Sequence, residues 1–162
     1  LSFVKNMTKL RLLCVGKNDI KDISALAGLT ELEYLELYTN PIADQTPLVG
    51  LTKLTHLNVA RTGITDITML SGMKQLKMLY ILGNNKISRD LVAKLAEALP
   101  DCTIVSRGSN PIAGDWHKAD LYHAFEVATG LVEPDPTPTP EPSASVDPSA
   151  TPTPAPTTTD EG

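Results

Sequence analysis

Apolar residues in this chain return at a fixed interval of 22. Met7, Leu29, Leu51 and Met73 open four segments, and within each the same offsets stay apolar: Leu10, Leu32, Leu54 and Leu76; Leu13, Leu35, Leu57 and Leu79; Val15, Leu37, Val59 and Ile81. A polar offset follows, read as Asn18, Asn40, Thr62 and Asn84, and two residues on comes Ile20, Ile42 or Ile64. A period this short cannot bury a core within one unit. Successive units must stack, each covering its neighbour's apolar edge.

A spacing of 20–29 residues with the pattern LxxLxLxxN is that of leucine-rich repeats. The expected fold class is α/β, a leucine-rich repeat solenoid: a right-handed superhelix with parallel strands on its concave face and short 3₁₀ or irregular turns on its convex face. The strands are predicted at about Leu12–Val15, Tyr34–Leu37, His56–Val59 and Met78–Ile81, with leucines inward and intervening residues outward. The Asn column (Asn18, Asn40, Asn84) is expected to form a structural ladder whose side-chain amides satisfy backbone groups of adjacent coils. "DISALAG" and "DITMLSG" are too short for α-helices, so 3₁₀ turns are expected there. Asp22, Asp44 and Asp66 form a column on this leg. Each is expected to cap its own turn, since no Asp-rich loop offers the six to eight oxygens that calcium takes.

The fourth unit departs from the series. "GNNKISRDLVAKLAEALPDCTIV" gains a residue before Ile87 and then reads as a helix from about Ser88 to Leu99, ended by Pro100. A fifth strand is expected at Thr103–Val105, with Cys102 buried at the offset of Leu35 and Leu57. "AGDWHKADLYHAFEVATGL" reads as a further helix from about Trp116 to Thr129, with Asp115 as N-cap and Gly130 as C-cap. Trp116, Leu121, Phe125 and Ala128 are expected to close the exposed edge of the last coil. The domain reading is therefore repeats over 1–105, a helical C-terminal cap over 106–133, and a Pro/Thr-rich acidic tail or linker over 134–162. That tail holds nine of the thirteen prolines and seven threonines. It cannot bury a core and is expected to be disordered. Leu1 lies 22 residues before Ile23 and Val4 22 before Leu26, so the chain opens within a repeat, and a further repeat or cap is expected upstream.

Charge and motifs exclude several functions. The tail carries five acids (Asp135, Glu141, Asp147, Asp160, Glu161) and no Lys or Arg, which leaves fourteen acids against fourteen Lys and Arg in residues 1–133. No basic field gathers phosphates, so nucleic acid is not an expected partner. There is no apolar run of the length a membrane-spanning helix needs. Cys14 and Cys102 fall four coils apart, about 19 Å at a strand spacing of about 4.8 Å, too far for a disulfide. His117, Asp120 and His123 do not share one helix face as metal ligands would. With no nucleophile elbow, P-loop or zinc motif, neither catalysis, metal nor cofactor is expected.

The outward strand positions carry the functional expectation. One column reads Leu12, Tyr34, His56, Met78; the next Cys14, Glu36, Asn58, Tyr80; the third Gly16, Tyr38, Ala60, Leu82. Three of four tyrosines stand here in a chain with 4% aromatic residues. Tyr, Met and His with few charges is an interface composition. Tyr34, Glu36, Tyr38, His56, Asn58, Met78 and Tyr80 are the predicted partner-binding residues, lying outside the core, of a monomer that binds another protein.

The unit "LTELEYLELYTNPIAD" resembles the repeats of internalin-type bacterial surface proteins, and the resemblance runs from Leu1 to about Ile87. "ALPDCTIV", a Trp-containing helix and the "PTPTPEPSAS" tail are similar to extracellular leucine-rich repeat proteins of Gram-positive gut bacteria. The resemblance implies protein recognition through the concave face of a secreted or cell-surface protein, with the tail as spacer or linker. It leaves two alternatives: a recognition module of a larger secreted enzyme, or a cytosolic adaptor like the leucine-rich regulators of protein phosphatases. Neither an LPxTG motif nor a lipobox Cys supports a particular anchor.

Leu57 falls mid-stack, so Leu57→Ala should cost about 2–5 kcal/mol in chemical denaturation. A near-neutral effect would mean the repeat register is wrong.

Overall fold

The computed structural model describes residues 1–108, 110–111 and 116–129. Asp115, Gly130 and the whole 134–162 tail lie outside the described residues. Five strands, β1 (Leu12–Cys14), β2 (Tyr34–Glu36), β3 (His56–Asn58), β4 (Met78–Tyr80) and β5 (Thr103–Val105), form one parallel sheet in chain order. Register follows the sequence period: Leu13 pairs with Leu35, Leu35 with Leu57, and Leu57 with Leu79. The return legs are 3₁₀ turns at Ser24–Leu26, Thr46–Leu48 and Thr68–Gly72. In the fourth unit the return leg is α1 (Arg89–Ala98), whose N-cap Ser88 accepts the Leu91 N–H at 3.2 Å.

The leucine columns build one continuous core. Leu29, Leu32, Leu35, Leu51, Leu54 and Leu57 are fully buried, closed by Met73, Leu76 and Leu79 on the next coil. No single coil hides these side chains. Their burial comes from the coil on either side, at about 25 cal/mol per Å² of apolar surface removed from water.

Backbone groups between coils are satisfied by side chains. Asn40 Oδ1 accepts the N–H groups of Asn18 and Ile20, both at 3.1 Å, and its Nδ2 donates to Val15 O at 2.9 Å and Leu37 O at 2.8 Å. One buried amide thus serves two coils. Asn84 repeats the arrangement, accepting from Thr62 and Gly63 and donating to Val59 O and Ile81 O. The Asn18 side chain is exposed and donates only within its own coil, to Val15 O and Gly16 O. Thr62 is too short to reach the coil below; its hydroxyl donates to Val59 O at 2.7 Å, and Ile42 N–H turns to the carbonyls of Asn40 and Thr62 instead. The aspartate column behaves as expected of turn caps: Asp22, Asp44 and Asp66 accept the N–H groups of Ser24, Thr46 and Thr68 at 2.8–2.9 Å. Bonds from the Thr46 and Thr68 hydroxyls and then their N–H groups lower the Asp44 and Asp66 carboxyls, and the Ser24 N–H and then its hydroxyl lower Asp22.

A second column has backbone consequences. Lys17, Thr39 and Arg61 adopt φ of 54–57°, and Gly83 at the same offset has φ 75°. The left-handed region is costly for residues with a Cβ. Here it is enforced by the ladder, because Lys17, Thr39 and Arg61 donate their N–H groups to Tyr38, Ala60 and Leu82 of the next coil.

Two expectations need correction. Cys102 does not occupy the offset of Leu35 and Leu57. Its N–H bonds Leu99 O at 3.1 Å, as Leu32 bonds Leu29 and Leu54 bonds Leu51, while Ile104 pairs with Leu79. The helical return leg lengthens this coil and moves the register. Cys102 is therefore half-buried at the core's margin, where burial pushes its thiol up to about 11. Secondly, the segment after β5 does not lay Trp116 over the edge of the last coil. A 3₁₀ turn (Trp116–Lys118) and α2 (Asp120–Thr129) bring Trp116, Leu121 and Tyr122 onto the outer face of the strands. Phe125 remains 41% exposed and Ala128 is exposed. The strand face offered this segment rings and an acceptor for the indole N–H, which the edge of a leucine core does not.

The asymmetry of the amide ladder is testable by denaturation. Asn40→Ala removes bonds from four backbone groups and should cost about 2–4 kcal/mol. Asn18→Ala, on the exposed first coil, should cost less than about 1 kcal/mol.

Candidate functional site

The outward residues of the parallel register meet in three columns: Tyr34 beside His56 and Met78, Glu36 beside Asn58 and Tyr80, and Tyr38 leaning over Gly16. A Cβ on Gly16 would lie 2.2 Å from the Tyr38 ring, so glycine is what lets that ring lie flat across the first coil. These side chains form a second cluster on the opposite side of the strands from the leucine core, joined by Trp116 and, half-buried, Tyr122.

The expectation that the predicted residues lie outside a core is corrected here. Tyr34 and Asn58 are 0% exposed, Tyr80 3% and Glu36 5%, while Tyr38, His56 and Met78 are half-buried. The chain's own C-terminal segment covers them. The Trp116 ring, itself fully buried, stands with its centroid 4.9 Å from Tyr34, 4.9 Å from Tyr80 and 6.1 Å from His56. Tyr34 stacks on His56 at 5.7 Å, and Tyr122 packs on Tyr34 at 5.4 Å. All are separations at which aromatic pairs attract.

Glu36 anchors this arrangement. Its Oε1 accepts from the Tyr34 hydroxyl at 2.7 Å and from the Trp116 indole N–H, and it lies 3.2 Å from His117 Nε2. A buried carboxylate is costly without donors, and three groups converge on this one. His117 in turn stacks on Tyr122 at 4.2 Å with an interplanar angle of 7°. Next to them, Asn58 Nδ2 donates to Pro111 O at 2.6 Å, fixing the segment's backbone against β3. Partial burial, then the charge of Glu36, pushes the Cys14 thiol up to about 12. Burial and Glu36 together also raise the Tyr34 hydroxyl above its ordinary value. Both groups are therefore neutral near pH 7.

Pro111, Trp116, His117 and Tyr122 are the site residues that sequence reasoning missed. A signal for them was present. The outward columns carry Leu12, Ala60, Met78 and Leu82 beside the tyrosines, more apolar surface than a solvated face requires, and the chain's one Trp and fourth Tyr follow within seven residues of each other. No group of three or more His, Cys, Asp or Glu suited to a metal occurs among the described residues. No helix among them is long and apolar enough to cross a membrane.

A family model described as leucine-rich repeats matches residues 8–50 and 52–96. The chain belongs to the leucine-rich repeat family. Among solved structures it is similar to an internalin of Listeria monocytogenes, at 34% identity and TM-score 0.61, with 70% of this chain and 34% of that one covered. It is similar to internalin C2 of the same species, at 27% identity and TM-score 0.56, with 70% and 51% covered. A leucine-rich repeat protein of Leptospira interrogans aligns at 26% identity and TM-score 0.53, with 59% and 25% covered. The chain thus spans between a quarter and a half of the length of these proteins. Comparison with curated proteins gives no significant match. The internalin-like assignment made on the repeat motif agrees with these likenesses, and it is on this leucine-rich repeat protein-interaction module that the covered strand face sits.

The site also gives a pH dependence. Burial, followed by the nearby Lys77, lowers the pKa of His56, and Asp120 opposes them. The unfolded chain, with His near 6.5, therefore takes up the proton first. This contribution to stability is complete above about pH 6.5 and is lost as the pH falls through that value toward the folded-state pKa. The Asp column acts in a lower window, losing its contribution as the pH falls through the ordinary carboxylate range. The thermal midpoint should drop between pH 7 and pH 5, and His56→Gln should flatten that slope. An unchanged slope would remove His56 as its source.

Proposed function

We propose that this leucine-rich repeat module is a non-catalytic recognition unit of a secreted or cell-surface bacterial protein, and that it binds a protein partner on its strand face, around Tyr34, Glu36, Tyr38, His56, Asn58, Met78 and Tyr80. The observation that carries this reading is the second aromatic cluster. It is separate from the leucine core, combines rings with placed polar groups, and already engages a polypeptide segment through ring packing, a carboxylate and a backbone-directed amide. Those are the elements of a protein-binding surface. The extracellular setting is supported by the internalins of Listeria among its structural likenesses and by the Pro/Thr-rich composition of the tail.

Two positions test the surface. Tyr38 is half-buried on the strand face, and Val49, 48% exposed, follows a 3₁₀ turn on the opposite side. A photo-crosslinking residue at Tyr38 should trap a protein partner from cell-wall or host-cell extracts, and one at Val49 should not. Crosslinking to the same protein from Val49 alone would place recognition on the convex side.

A further inference from the structure

The strand face holds a pocket of definite chemistry. Its walls are the rings of Tyr34, His56 and Tyr80, with centroids 4.9 to 6.1 Å from the indole they surround. At its base Glu36 Oε1 accepts the indole N–H, and Tyr34 donates to the same oxygen. Among apolar rings only indole has the breadth to touch three walls and a donor-only N–H to reach a buried carboxylate. Phenylalanine would leave that acceptor short of a donor. The backbone contact at Pro111 O, made by Asn58 Nδ2, sets register without reading a side chain.

We propose that Tyr34, His56, Tyr80 and Glu36 form a recognition pocket for a tryptophan side chain, and that the protein partner presents an exposed tryptophan there in place of Trp116. The proposal rests on the strand face being the partner surface. Trp116 then acts as a tethered competitor. A tethered occupant has an effective concentration on the order of millimolar, so a partner's tryptophan must outbind it or meet a chain in which it has been released. Glu36 discriminates, because it rewards an N–H at one edge of the ring. The aromatic walls reward only area.

The test uses the whole chain. Trp116→Ala vacates the pocket, and indole should then raise its thermal midpoint saturably, while 1-methylindole, which lacks the N–H, should act at least tenfold more weakly. The native chain should respond to neither. A labelled peptide with the sequence of residues 110–129 should bind Trp116→Ala at least tenfold more tightly than it binds the native chain, and lose at least tenfold when its Trp is replaced by Phe. Equal responses to indole and 1-methylindole, or no response in Trp116→Ala, overturns the pocket. Because Trp116 is the chain's one tryptophan, its fluorescence gives a reading independent of that variant's folding. Glu36→Leu should shift the emission to longer wavelength, and an unshifted spectrum overturns the role of Glu36. A native chain whose sedimentation mass doubles with concentration, and whose Trp116→Ala variant stays monomeric, would make the occupant a second copy and overturn a separate partner. The two readings fail separately. Crosslinking from Tyr38 without indole selectivity sinks the pocket and leaves the surface, and indole selectivity without crosslinking at Tyr38 sinks the partner surface and leaves only an indole-selective seat for Trp116.

Discussion

The side-chain amide of Asn40 bonds four backbone groups at once, two N–H and two C=O, drawn from its own coil and the one before it. A chain that turns back every 22 residues would otherwise bury polar backbone without partners at each bend, at a cost of about 1–3 kcal/mol for each unsatisfied group. Everything else is arranged on this constraint. The three-residue strands can be so short because the amides continue the inter-coil bonding past the end of the ladder. The leucines can stay in register because the bend is fixed. Where Thr62 interrupts the series, Asn84 still bonds back to Thr62 and Gly63, so the break costs one side-chain link and leaves the stack continuous.

The outer face follows from the same register. Once Leu35 is set opposite Leu57, Glu36 must lie opposite Asn58 and Tyr34 opposite His56. The strand ladder therefore assembles an aromatic cluster from residues 22 apart, with no loop needed to position them. Rigid strands hold these rings better than a loop would, and a rigid site loses less entropy when it is filled. The covering segment approaches a surface already formed.

How much of this was readable in the sequence depends on the range of the contact. The strands at Leu12, Tyr34, His56 and Met78 and the turn-capping aspartates all repeat at a fixed spacing, and spacing is visible in one dimension. Cys102 was misplaced because its coil contains a ten-residue helix, so counting by 22 no longer applies. The membership of the aromatic columns was legible. The apolar excess in those columns hinted at a cover, but which segment supplies it was not legible, since that depends on Trp116 meeting Glu36 across 80 residues of chain with no periodic relation to it. Nothing in the helix pattern separates packing on the last coil from packing on the strand face. Both offer an apolar surface, and only the lone carboxylate among the rings favours the second.

The column of left-handed residues at Lys17, Thr39 and Arg61 has a consequence for how such a protein ages in evolution. Each coil carries one backbone conformation that costs a side chain on the order of 1–2 kcal/mol, and Gly83 shows that the same turn is made without that cost. The strain is thus distributed as equal, independent increments along the axis. The three side chains are exposed and belong to neither the leucine core nor the aromatic cluster, and the inter-coil bonds of the ladder use their backbone N–H groups. Exchange to glycine or asparagine at any of the three can relax the fold without altering what it recognises, so stability in this solenoid can drift over generations while specificity stays fixed.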